Sequence, residues 1–175
     1  MRFSIFIMIA IIPLCISCQN RDSADDTPII TQTMNTDNSD TQDSDVINVE
    51  SASITGVSIS GSENNYSFAV TIESPDTGCT QYADWWEVFN EDGNLLYRRI
   101  LAHSHVDEQP FTRSGGPINI DKNTNVFVRA HMNNLGYGTV LFSGSVENGF
   151  VETRQNQDFF SGLSDTDPLP SDCAF

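Results

Sequence analysis

Basic residues are scarce in this chain: 8 Lys and Arg stand against 24 Asp and Glu, for a net charge of −16. Nucleic acid is gripped by clustered Lys and Arg at its phosphates, so this balance argues against a nucleic-acid partner. It argues equally against electrostatic adhesion to an anionic membrane surface. Helical periodicity is missing from residue 50 onward, which speaks against a helical body. No Gly-x-Ser-x-Gly elbow, phosphate-binding glycine loop or HExxH pair occurs in the sequence. The common nucleophile, nucleotide and zinc-protease signatures are therefore lacking, and a non-enzymatic role is expected. Cysteine is sparse too, with 4 in the whole chain.

The longest apolar run sits at the start. Met1-Arg2 is followed by FSIFIMIAIIPLCIS and then Cys18. A positive start with a short apolar run reads as a signal peptide, and the run is too short for a comfortable membrane span. It ends in Leu14-Cys15-Ile16-Ser17-Cys18. This ending resembles the lipobox of bacterial lipoproteins, with small Ser17 directly before Cys18. Cys15 stands where the family usually has Leu. The resemblance implies cleavage that removes residues 1–17 and lipidation (palmitate included) of Cys18. It also implies a lipid bilayer as a partner and a place in the bacterial cell envelope, anchored in the outer membrane and either periplasmic or surface-exposed. Asp22, Asp25 and Asp26 look like the acidic signal that directs some such lipoproteins to the surface. Once residues 1–17 are gone and Cys18 carries lipid, Cys79 and Cys173 remain. Two cysteines in an exported protein most simply pair with each other.

Residues 18–49 are mostly Asp, Ser, Thr, Asn and Gln. They cannot bury enough apolar area to offset the entropy of ordering, so a disordered acidic tether is expected there. At about 5–6 Å per root residue, such a tether would hold a domain roughly 30 Å from the lipid.

From residue 50 the pattern becomes period two. Val57 and Ile59 alternate with Ser58 and Ser60, and Tyr66, Phe68, Val70 and Ile72 alternate with Ser67, Ala69 and Thr71. Residues 83–89 and 95–101 are aromatic and branched, with Asp92-Gly93 between them. Asp-Gly between apolar runs signals a hairpin, because glycine takes positive φ at little cost. The turn leaves two registers open, with Glu87 or Trp86 facing Arg98 or Arg99, giving a salt bridge or an Arg-on-Trp contact. Residues 106–116 read as a long loop with a short edge segment, Ile118 and Ile120 as a further strand, and residues 126–132 and 140–146 as the last two. About seven strands in about 100 residues predict an all-β fold: a single two-sheet Greek-key β-sandwich, immunoglobulin-like or fibronectin-III-like. The body is expected over residues 50–153. Residues 154–175 form an extension pinned by the disulfide, with Phe159, Phe160 and Leu163 packing on the body.

Two candidate sites follow. His103-x-His105 in an extended chain would place two imidazoles on one face about 6.5–7 Å apart. With His131 and Glu108 (or Asp107) they could hold zinc or copper. Arg98, Arg99, Arg113 and Arg129, with Trp85, Trp86 and Tyr82, could grip a glycan or an anionic ligand, since Arg forks bind carboxylates and aromatic faces take sugar rings. Against this stands structural use, with arginines answering Asp84, Glu87, Asp107 and Glu108, and one tryptophan in the core. The expected function is an envelope-anchored lipoprotein displaying a non-catalytic binding module without a cofactor, its partner a glycan, an anionic ligand or an envelope protein. The alternatives are a zinc or copper carrier using the three histidines, and a structural accessory module of an envelope assembly.

Overall fold

A computed structural model describes residues 50–174. The signal peptide, Cys18 and the tether read over residues 18–49 lie outside the described residues. Nine strands follow in order: β1 (Ser53–Ser62), β2 (Asn65–Glu73), β3 (Ala83–Asn90), β4 (Leu95–Ile100), β5 (Phe111–Ile118), β6 (Val126–Met132), β7 (Gly136–Tyr137), β8 (Val140–Ser145) and β9 (Gly149–Arg154). A single 3-10 turn, Ser161–Asp165, comes last. No helix among the described residues is long and apolar enough to cross a membrane.

The strands form two sheets. One has the order β1-β2-β5, and the other β4-β3-β6-β8-β9 with β7 paired to β6. All the neighbouring strands run antiparallel. Period-two residues explain the core between the sheets. Tyr66, Phe68, Val70 and Ile72 of β2 are buried and meet Trp86 and Val88 of β3 and Val128 and Ala130 of β6.

The Asp-Gly hairpin forms as expected. Gly93 has φ 76°, and the Asn90 side-chain carbonyl accepts from the amides of Asp92 and Asn94. Gly93 is needed a second time: a Cβ there would run into the Phe160 ring. The turn and the C-terminal extension thus share one glycine.

Three readings change. Residues 111–118 are strand β5 at the edge of its sheet, longer than the short edge segment expected in the loop through residue 116. Gly115 is tolerated because a Cβ would collide with Tyr97 and Trp86, and Pro117 because β5 pairs with β2 alone and can lack an amide on its free edge. Strand β9 was not expected as a separate strand; as an edge strand with an exposed, mixed face it carries little alternation. Residues 136–137 form a short β7, where only a turn was read.

Strand β3 is buried on both faces, which is unusual for an antiparallel sheet. Its outer residues Trp85 and Phe89 join Tyr137, Phe127, Phe159, Phe160 and Leu163 in a second apolar cluster. That cluster exists because the C-terminal extension folds back across the sheet. Cys79 and Cys173 are disulfide-bonded, with Cα atoms 5.5 Å apart across a sequence separation of 94. Nearby, the Ala174 amide donates to the Ala102 carbonyl at 2.6 Å.

Candidate functional site

Register brings the charged residues of the outer face together. Glu87 on β3 lies opposite Arg98 on β4 and opposite Arg129 on β6. Residues directly opposite in a sheet have Cβ atoms about 4.5–5.5 Å apart, within easy reach of long side chains. Arg98 Nε donates to Glu87 Oε2 at 2.9 Å, and Arg129 Nε to Glu87 Oε1 at 2.8 Å. All three side chains are buried, with Glu87 at 0% exposure.

Two guanidiniums and one carboxylate leave one excess positive charge out of water, which needs further partners. Backbone carbonyls of the extension supply them. Arg98 donates to the carbonyls of Leu163 at 2.7 Å, Pro168 at 3.1 Å and Thr166 at 2.5 Å. Arg129 donates to the carbonyl of Phe160 at 3.0 Å and to that of Phe159. Aromatic faces complete the enclosure. Arg98 lies 4.5 Å from the Trp85 ring centroid, and Arg129 lies 3.4 Å from Tyr137 and 4.5 Å from Phe89. Burial first, then the Glu87 charge, raises the Tyr137 phenol well above its ordinary range. The register left open in the sequence resolves as Glu87 opposite Arg98, and the salt bridge and an Arg-on-Trp contact, on Trp85, occur together.

The residues of the candidate ligand-binding set fall in different settings. Trp86 is 0% exposed and lies in the main core, while Trp85, Arg98 and Arg129 lie under the chain's own extension. Only Arg99 and Arg113 of that set reach solvent, and Arg113 donates to Glu108 at 2.8 Å. The hydrogen bond to Arg113, then its charge, holds the Glu108 carboxyl below the usual carboxylate range. No candidate from the set borders a separate groove of about 920 Å³ lined by Glu50, Glu73, Glu152, Arg154 and Asp158, among others.

The metal set divides as well. Among the described residues, no three His, Cys, Asp or Glu side chains are grouped to hold a metal ion. His131 is drawn to Asp84, Nδ1 to Oδ1 at 2.7 Å, and stacks on Trp85 at 3.6 Å. His103 and His105 follow β4 in a loop, their ring centroids 4.6 Å apart. His105 is 2% exposed and stacks on Phe111 at 3.8 Å. Burial, then the Arg113 charge and His103, lowers the His105 ring below the ordinary histidine range. Glu108 pairs with Arg113 at 2.8 Å.

Sequence reasoning passed over Asp76. Its buried carboxylate accepts from the amides of Ala83 at 3.0 Å and His105 at 2.8 Å, and from Ser74 Oγ at 2.7 Å. It holds the entry to β3 against the loop after β4. The only signal in the sequence was a Ser-Pro-Asp turn, a weak one.

A protein of Halomicrobium mukohataei, named "Putative lipoprotein", is 39% identical to this chain over 88 residues. The match covers 50% of this chain and 43% of the relative, so it spans less than half of the relative's length. No known family matches the chain, and no solved structure matches it. The relative's name and the all-β fold fit a lipoprotein of the cell envelope.

Proposed function

We propose that the chain is an envelope-anchored lipoprotein that displays a fibronectin-III-like sandwich as a non-catalytic interaction module. Two antiparallel sheets, β1-β2-β5 and β4-β3-β6-β8-β9, with a shared core between them support the sandwich reading. The lipobox resemblance at Cys18 and the similarity to a protein named as a lipoprotein support the anchor. Palmitate on Cys18 and outer-membrane placement, periplasmic or surface-exposed, belong to the same reading.

The observation that carries the interaction role is the cradle itself. Arg98 and Arg129 together hold five main-chain carbonyls of residues 159–168. A sheet face that grips the backbone of a crossing segment has the chemistry of a peptide-binding face, so an envelope protein is preferred to a glycan as the partner.

Metabolic labelling with a palmitate analogue tests the anchor. The wild-type chain should carry the label and sediment with membranes, and Cys18→Ala should do neither. A Cys18→Ala chain that keeps label and membrane association would sink the anchor reading. In-cell cross-linking tests the interaction role, which fails if no protein is captured from the native envelope.

A further inference from the structure

Residues 159–168 have the features of an occupant more than of a core element. Their contribution to the cradle is made through carbonyl groups, which any peptide carries. Of their side chains only Leu163 is buried, while Phe159 and Phe160 are half-buried. Phe160 sits at φ 48°, a left-handed conformation that a bulky residue keeps only when its surroundings hold it there. The surface beneath is the opposite: Trp85, Glu87, Arg98, Arg129 and Tyr137 are all buried and locked to one another by register, ion pairs and ring contacts. The segment lies on that face through Leu163 and through the Phe159 and Phe160 rings, which meet Phe89 and Phe127, and the Cys79–Cys173 bond closes its far end. Both cysteines are only half-buried, so a small thiol can reach them.

We infer that the outer face of β4-β3-β6 is a groove for a peptide segment in a turn and 3-10 conformation bearing aromatic and aliphatic side chains, that residues 159–168 are its built-in occupant, and that the Cys79–Cys173 bond is the latch. This deepens the interaction-module reading and rests on it. While the latch is closed, the occupant lowers the fraction of chains able to take a partner segment, and apparent affinity falls by that fraction. Opening the latch restores it. A dithiol does this with balanced chemistry: one thiolate attacks a cystine sulfur, the second closes the reagent to its cyclic disulfide, and Cys79 and Cys173 each leave as a thiol.

The test uses the purified full chain and a fluorescent synthetic peptide of residues 157–169. Anisotropy is read before and after dithiothreitol, and limited proteolysis reports whether the segment has lifted. The expected result is binding at least about tenfold tighter after reduction, reversed by reoxidation and weakened in Arg129→Lys, which keeps the charge but not the fork. Leu163→Asp, with the disulfide intact, should open the groove too, and it decides the matter if reduction unfolds the sheets by circular dichroism. Two results overturn the inference. One is a segment that stays protected after reduction and in Leu163→Asp. The other is a lifted segment with peptide affinity unchanged within about twofold. In-cell cross-linking reports whether the envelope supplies a partner and peptide exchange reports whether this groove takes a segment, so failure of either is recognised separately.

Discussion

Arg129 stands directly opposite Glu87 across the β3–β6 ladder, and its Nε lies 2.8 Å from Glu87 Oε1 with both side chains out of water. The other carboxylate oxygen of Glu87 serves Arg98. One carboxylate thus neutralises part of two buried cations, and five carbonyls carry the remainder. Such a cluster is costly to break on one side, because the group left behind keeps its desolvation penalty without its partner.

Glu87→Gln preserves shape but removes the shared negative charge. It should destabilise the folded chain by about 3–5 kcal/mol in urea unfolding. A loss under about 1 kcal/mol would mean that the carbonyls alone satisfy the guanidiniums.

Gly93 and Gly136 offer a matched pair. Both have φ 76°, but a Cβ at Gly93 would meet the Phe160 ring and one at Gly136 would meet nothing within 4 Å. Each Gly→Ala change should cost about 1 kcal/mol for the left-handed backbone. Gly93→Ala should cost about 1–3 kcal/mol more, through displacement of Phe160. Thermal melts of the two variants compare them, and equal costs would show that the extension does not bear on the turn.

His105 predicts a pH dependence. Burial, Arg113 and His103 lower its pKa, while Asp76 and Glu108 act weakly in the other direction. The folded chain therefore holds the neutral ring where the unfolded chain takes up a proton. Stability from this group is complete above about pH 6.5, the ordinary histidine value, and falls as pH drops below it. The slope cannot exceed about 1.4 kcal/mol per pH unit for one proton. His105→Phe should flatten the unfolding midpoint between about pH 6.5 and pH 5 relative to wild type, and an unchanged slope would assign the effect to other groups.

Cys79→Ala with Cys173→Ala should cost about 2–5 kcal/mol, since the bond closes a long loop in the unfolded chain. Thiol counting on the unreduced wild-type chain should find both of these cysteines blocked. Two reactive thiols at these positions would show that the bridge does not form.

Much of the fold was legible because it is written in side chains of period two. Strands β2 and β6 and the β3–β4 hairpin follow from alternating apolar residues and one Asp-Gly turn. The length of strand β5 was hidden by Gly115-Gly116-Pro117, three residues that read as loop yet suit an edge strand packed against Trp86. The histidine and arginine sites misled for a common reason. Spacing along the chain tells which residues can meet, not which partner reaches each one first. Asp84 takes His131, Glu87 takes Arg98 and Arg129, and Arg113 takes Glu108.

By itself the sequence determined the all-β class, the hairpin and the pairing of Cys79 with Cys173, because each depends on the identity of side chains. Phe159, Phe160 and Leu163 also announced that the extension packs on the body; tertiary structure decided that it does so over the Trp85–Arg98–Arg129 face and that its carbonyls answer the two guanidiniums. The acceptors that cover it are backbone carbonyls, which every residue carries alike, so no choice of amino acid along residues 159–168 could announce them. Only the fold-back of the extension over β3 brings them within reach of the two guanidiniums.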